Sequence, residues 1–269
     1  MNLIDVHAHL EHARFKKDLG SVIERFNGAG GKFIIESGVN PATNRVALEL
    51  AEKYDCVKVS FGLYPIDALA QEVKAGESDG FLRDIAEFDV DEELDWIEKN
   101  SDKCVAIGEI GLDYNWKEFQ TEKMREKQKE VFRKVLTLAR KIDKPVVIHS
   151  RKAEEDAIVI LEELEMKRVI MHCFNGKKSL IRRCVENGWY FSVPPVITRL
   201  QHFETLVGIV PLEQILTETD APYLSPVAGE RNESANVAVT IKKIAEIKGL
   251  DDEEVAEQIF INAKNLFDL

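Results

Sequence analysis

Residues 145–151 read Pro-Val-Val-Ile-His-Ser-Arg, and this stretch carries the plan of the chain. Three β-branched residues in a row, with no polar position between them, suit a strand buried on both faces of a parallel sheet. The run ends on His149. Segment 151–164 then carries apolar residues at three- and four-residue spacing, the pattern of an amphipathic helix. One strand, a chemically capable residue at its C-terminal end, and one helix make a βα unit.

The unit recurs in both directions. Short apolar runs lie at 3–6, 32–36, 57–61, 104–108, 169–173, 189–193 and 214–217. Helical patterns lie at 18–27, 41–54, 88–100, 120–142, 177–187, 237–248 and 251–262. Asn40 is placed to cap the helix that Pro41 opens, and Asp251 or Asp252 the last one. Eight strand candidates alternating with helices predict an α/β protein, a single-domain (β/α)8 TIM barrel over residues 1–269. The competing architecture is an open doubly wound sheet. It is disfavoured because neither GxGxxG nor GxxxxGK[ST] follows the first run. Segment 65–87, acidic and containing Gly76, Ser78, Asp79 and Gly80, breaks the rhythm and reads as an excursion on the loop after the third strand.

Composition narrows the function. The chain has 36 basic and 48 acidic residues, a net charge of -12, which argues against coating duplex DNA through a broad basic face. A local grip on a few phosphates is compatible with it. The 45% hydrophobic and 31% charged fractions are those of a soluble globular protein. No apolar run approaches the roughly 20 residues that cross a bilayer, and the N-terminus has no signal-like pattern. The expectation is a cytoplasmic protein with no membrane association and no obligate protein partner. Cys56, Cys104, Cys173 and Cys184 form no CxxC pair, which points to reduced thiols and against a zinc-thiolate site.

The ends of the runs carry the chemistry. His7 and His9 stand two apart and so face one side of a strand. The fourth run leads into Glu109, the fifth into His149, the sixth into His172, and the eighth into Glu218 and Asp220. A barrel gathers all strand C-termini on one rim. Four of the six histidines and three acids would meet there, and mutually repelling acids among imidazoles call for a divalent cation.

Seven segments make the pattern familiar: DVHAHL at 5–10, GEIGLDY at 108–114, PVVIHSR at 145–151, MHCFNG at 171–176, ETDAPYLSP at 218–226, RNES at 231–234 and NAKNLF at 262–267. As an ordered set spanning nearly the whole chain, they resemble the TatD-type deoxyribonuclease family of metal-dependent hydrolases, within the amidohydrolase-like barrels. The resemblance implies two divalent metal ions, Mg²⁺, Mn²⁺ or Zn²⁺. His7, His9 and Asp220 would hold one, His149 and His172 the other, and Glu109 would bridge them. Asp220 would also handle the proton of an attacking water, and Glu218 would orient a metal-bound histidine. The implied activity is phosphodiester cleavage at single-stranded or frayed DNA ends. The same donor set also suits an amide or aminoacyl-ester hydrolase.

Arg151, Tyr64, Asn175 and Arg231 are the candidate substrate contacts, with Arg231 also able to anchor the loop after the eighth strand. Tyr64 marks a departure. Family members commonly carry Gly-x-His-Pro-His after the third strand, and here the segment is Gly62-Leu63-Tyr64-Pro65-Ile66. A phenol can donate a hydrogen bond or stack on a base, but brings no positive charge near neutral pH. Lys152 reads as a solvated helix start, and His12 and His202 as surface or helix positions outside any motif. Trp116 lies just past GEIGLDY on the same rim.

Overall fold

The computed structural model describes residues 1–72 and 86–269. Eight strands form one sheet: β1 (Leu3–Ala8), β2 (Gly31–Ser37), β3 (Val57–Leu63), β4 (Ala106–Asp113), β5 (Val146–Arg151), β6 (Val169–His172), β7 (Tyr190–Val193) and β8 (Ile215–Thr217). Each pairs in parallel with the next in chain order. The ring closes between β8 and β1 through an isolated parallel bridge, Ala8 to Ala221, rather than a full ladder. The architecture is the (β/α)8 TIM barrel that the alternation predicts.

Helices α1 (Leu19–Gly28), α2 (Pro41–Lys53), α3 (Val90–Lys99), α4 (Glu122–Lys141), α5 (Glu154–Glu163), α6 (Lys178–Glu186), α7 (Gln201–Ile209), α8 (Val237–Lys248) and α9 (Asp252–Phe267) fill the connections and the C-terminal segment. The Asn40 side chain accepts from Thr43 N–H, and Pro41 is the first helical residue of α2. Asp251 caps α9 by accepting from Glu253 N–H.

Two sequence expectations need correction. Helix α7 lies in a segment that gave no helical reading. The helix expected from 151 begins at Glu154, because Arg151 still belongs to β5, pairing with Asp113 of β4. Of the expected excursion 65–87, the first residues form a short 3-10 segment, Asp67–Glu72, and residues 73–85 lie outside the described residues.

Every residue of β1 and β4 is buried, and one contiguous apolar core runs through all eight strands and the inner faces of the helices. A smaller cluster of Ile66, Leu69, Phe119 and Met124 lies under the loops after β3 and β4, and Tyr64 and Trp116 pack against it. Gly111 sits at φ +144°, where a Cβ would stand 1.9 Å from the His149 carbonyl oxygen, so only glycine lets β4 approach β5 at that level. Among the described residues no helix is long and apolar enough to cross a membrane. All four cysteines are free thiols.

Candidate metal centre

The C-terminal ends of the strands open into a cavity of about 810 Å³. His9, Glu109, His149, His172 and Asp220 line it, and His7 lies fully buried at its floor. Three groups of ligand atoms each fall within 4.8 Å: His7, His9 and Glu109; Glu109, His149 and His172; and His7, His172 and Asp220.

Glu109 stands in two of these groups and divides its oxygens between them. Oε2 is 3.5 Å from His7 Nε2 and 3.7 Å from His9 Nε2. Oε1 is 2.8 Å from His149 Nδ1 and 3.9 Å from His172 Nε2. Asp220 Oδ1 approaches His9 Nε2 at 3.3 Å and His7 Nε2 at 3.8 Å. The structure thus brings together all six residues expected to bind metal.

Each imidazole is also held from behind. His9 Nδ1 lies 3.1 Å from the Ser37 carbonyl oxygen. A carbonyl only accepts, so this nitrogen carries the hydrogen and Nε2 is left for the cluster. Ser37 Oγ holds His7 Nδ1 at 3.1 Å. Glu218 Oε2 holds His172 Nδ1 at 2.6 Å, and Asp113 Oδ2 lies 3.0 Å from His149 Nε2. Fixing the outer nitrogen of a ligating histidine sets its tautomer and ring direction.

The charges point the same way. Burial resists ionisation of Glu109, but His149 and His7 outweigh it and hold the carboxyl well below the usual carboxylate range. Asp220 is lowered as well, chiefly by His9 against the cost of burial. Burial and the neighbouring imidazoles of His172 and His9 push His7 down to about 4. His9 rises to about 10 despite burial, because Asp220, Glu11 and Glu109 face it. His149 and His172 rise to about 9 for the same kind of reason, beside Asp113 and Glu109 and beside Glu218 respectively. Two ionised acids in a buried site are therefore balanced by protons on imidazoles that offer no other reason to be charged. Imidazole and carboxylate donors converging on one point, with no thiolate, fit a divalent cation of the Zn²⁺, Mn²⁺ or Mg²⁺ type.

The supporting residues lock the rim. Asp5, fully buried, accepts from Thr219 N–H at 2.9 Å and from Thr219 Oγ1 at 2.5 Å, joining β1 to the segment that presents Asp220. Buried Glu36 accepts from the backbone N–H groups of Leu10 and Glu11 and turns the chain after His9. Lys152, Cys173, Asp220 and Leu224 all adopt positive φ, between 42° and 55°, in the left-handed region that side chains disfavour. All four line the cavity. The sequence signal for Asp5 is an acid inside an otherwise apolar run, and for Glu36 an acid at the end of one.

The candidate substrate contacts divide. Arg151, Tyr64 and Asn175 line the cavity. Arg231 does not. Its guanidinium makes a two-pronged pair with Asp18 at 2.6 and 2.7 Å, donates to the Arg14 carbonyl and lies over the Phe15 ring. It clamps the loop after β8, together with Asn232, whose side chain donates to the Thr219 carbonyl. His12, taken from sequence as a surface or helix residue, stands at the cavity edge near Tyr223. His202 is turned toward the Phe174 carbonyl.

Known proteins resemble this chain over nearly its whole length. The family model described as TatD related DNase matches residues 4–268. The metal-dependent hydrolase YabD of Bacillus subtilis is 36% identical over 273 residues, covering 98% of each chain. A 3'-5' ssDNA/RNA exonuclease, TatD of Erwinia tasmaniensis, is 31% identical over 279 residues, 99% of this chain and 100% of that protein. Among solved structures, the TatD homologue YjjV of Escherichia coli superposes with a TM-score of 0.85 at 26% identity, covering 99% of this chain and 98% of that one.

Proposed function

Because the chain belongs to the TatD related DNase family of metal-dependent hydrolases, we propose that it is a deoxyribonuclease that removes nucleotides from single-stranded or frayed DNA ends. The observation that carries this reading is the division of Glu109 between two imidazole pairs, which suits a pair of divalent cations. His7, His9 and Asp220 would hold one ion, His149 and His172 the other, with Glu109 between them. Such ions acidify a water molecule and polarise a phosphoryl oxygen.

The protein's own residues supply the rest. Asp220 is ionised and lies at the edge of the cavity, placed to take a proton from the attacking water. Arg151 lines the same cavity and is exposed, so its guanidinium can meet a phosphate without first breaking a buried pair. A cavity of about 810 Å³ admits a strand end. Tyr64 and Trp116 on one wall, and Tyr223 in the lining, offer ring faces against which any base can stack. A cytoplasmic setting fits the four free thiols.

The test is digestion of an end-labelled single-stranded oligonucleotide by metal-stripped protein, with Mg²⁺, Mn²⁺ or Zn²⁺ restored. Stepwise loss of label only with metal, and its loss in His149→Ala and Asp220→Asn, is the expected result. Intact DNA under every metal, with the metals bound, would redirect the reading to amides and aminoacyl esters.

A further inference from the structure

The ring of His149 is gripped from outside the cluster as closely as it faces the cluster. Its Nδ1 lies 2.8 Å from Glu109 Oε1 and its Nε2 lies 3.0 Å from Asp113 Oδ2. The Tyr64 hydroxyl donates to the same Asp113 oxygen at 2.9 Å and stands 3.4 Å from His149 Nε2. The two rings meet edge to face, 4.8 Å apart at 64°.

Asp113 is itself fixed on every side. Its Oδ1 accepts from Asn115 N–H at 2.8 Å. Its backbone N–H donates to Gln128 Oε1 at 2.8 Å, and Gln128 Nε2 donates back to the Asp113 carbonyl at 2.9 Å. Asp113 and Gln128 are both buried. Tyr64 packs on the apolar cluster of Ile66, Leu69, Phe119 and Met124. The phenol, the carboxylate and the imidazole thus come from the β3 loop, the end of β4 and β5, each anchored independently of any metal.

The cluster alone does not decide which nitrogen His149 offers, since either one of a free imidazole can carry the hydrogen. A carboxylate that already accepts from two other donors accepts a hydrogen from the ring as well and gives none. We propose that Tyr64 and Asp113 are a positioning pair that locks His149 with Nε2–H on Asp113, so that Nδ1, the nitrogen facing Glu109, is the one that gives up its hydrogen to a metal ion. The hydroxyl shares Oδ2 with the imidazole, holds the carboxylate in plane and keeps it from swinging away. Tyr64 then acts through His149 and sets metal affinity in the half of the cluster formed by His149 and His172. This inference rests on the reading of His149 as a metal ligand.

The full chain, stripped of metal, is titrated with Zn²⁺ against a fluorescent chelator, as wild type, Asp113→Asn and Tyr64→Phe. Asp113→Asn is expected to weaken Zn²⁺ binding about 10–100-fold. Tyr64→Phe shows a smaller loss in the same direction. In parallel, ¹⁵N-histidine spectra of the Zn²⁺-loaded proteins report which His149 nitrogen carries hydrogen. The wild type shows it on Nε2, and Asp113→Asn shifts it or mixes the two forms. A merely structural role would leave that signature alone. A wild-type hydrogen on Nδ1, or variants with wild-type affinity and spectra, overturns the pair while leaving the metal centre standing. A wild type that binds no Zn²⁺ overturns the metal centre and the pair together.

Discussion

Glu218 Oε2 lies 2.6 Å from His172 Nδ1, and the acid is fully buried. Its other oxygen accepts from Cys173 N–H at 3.1 Å, and Ser192 Oγ donates to Oε2 as well. The carboxylate is committed to the protein on all sides, so its business is the direction of the imidazole.

Glu218→Gln keeps the shape but replaces a charged acceptor with an amide. We expect Zn²⁺ affinity of the stripped protein to fall about 10–100-fold, with the fold intact by circular dichroism. Unchanged affinity in the chelator competition would show that His172 needs no such partner.

Arg151 and Lys152 are the arginine and lysine that line the cavity among the described residues, on a chain of net charge -12. Counterion release then predicts a shallow salt dependence. The logarithm of kcat/KM against the logarithm of salt should have a slope of about -0.7 per phosphate contacted on a single strand. Arg151→Ala should flatten that slope by about 0.7 and raise KM with little change in kcat. A steep slope in the wild type would reveal a basic track outside the cavity.

Burial pushes the Cys104 thiol up to about 11 and the Cys184 thiol up to about 12. An ordinary thiol titrates near 8.5. At pH 8 these two should resist iodoacetamide in the native protein and react only after unfolding. Above the unfolded value the unfolded chain loses these protons and the folded chain keeps them, so stability declines with rising pH until about 11 and 12. Rapid native alkylation, read by mass spectrometry at each cysteine, would contradict this.

Arg231 is committed to Asp18, so Arg231→Ala should leave KM for the oligonucleotide unchanged. Asn232→Ala should be the costlier change. It leaves the Thr219 carbonyl without its Asn232 donor and removes the acceptor for Glu233 N–H and Asn236 Nδ2. The loss is about 1–3 kcal/mol of stability by denaturant titration. A raised KM in Arg231→Ala with unaltered stability would put the guanidinium on the substrate.

The barrel was legible because parallel strands are buried on both faces, and 146–148 or 169–171 contain nothing but apolar residues. Helix α7 was missed although Phe203, Leu206 and Val207 stand at helical spacing, because the run Gln201–Ile209 is short and no side chain caps its start. The candidate metal-facing residues were readable because each one ends or closely follows a short apolar run. Of their partners only Glu218 was read from the sequence. Ser37, Asp113 and Ser192 reach the cluster only through the register of neighbouring strands, as when β7 sets Ser192 beside His172 of β6. Pairings across a sheet leave no trace in local spacing. The misassignment of Arg231 has the same origin, because Asp18, its partner, is 213 residues away in the chain.

The ring of strands is fastened at one seam. His7 carbonyl oxygen accepts from Asp220 N–H at 2.9 Å, His9 N–H donates to the Ala221 carbonyl at 2.8 Å, and Thr217 Oγ1 donates to the Ile4 carbonyl. The residues that latch the first strand to the last are those that present His7, His9 and Asp220. The hydrogen bonds that close the cylinder are therefore the same ones that hold the candidate ligands side by side. An ion held by His7, His9 and Asp220 would act as a rivet between the first strand and the segment after the last, so its removal should loosen the closure of the barrel as well as the site.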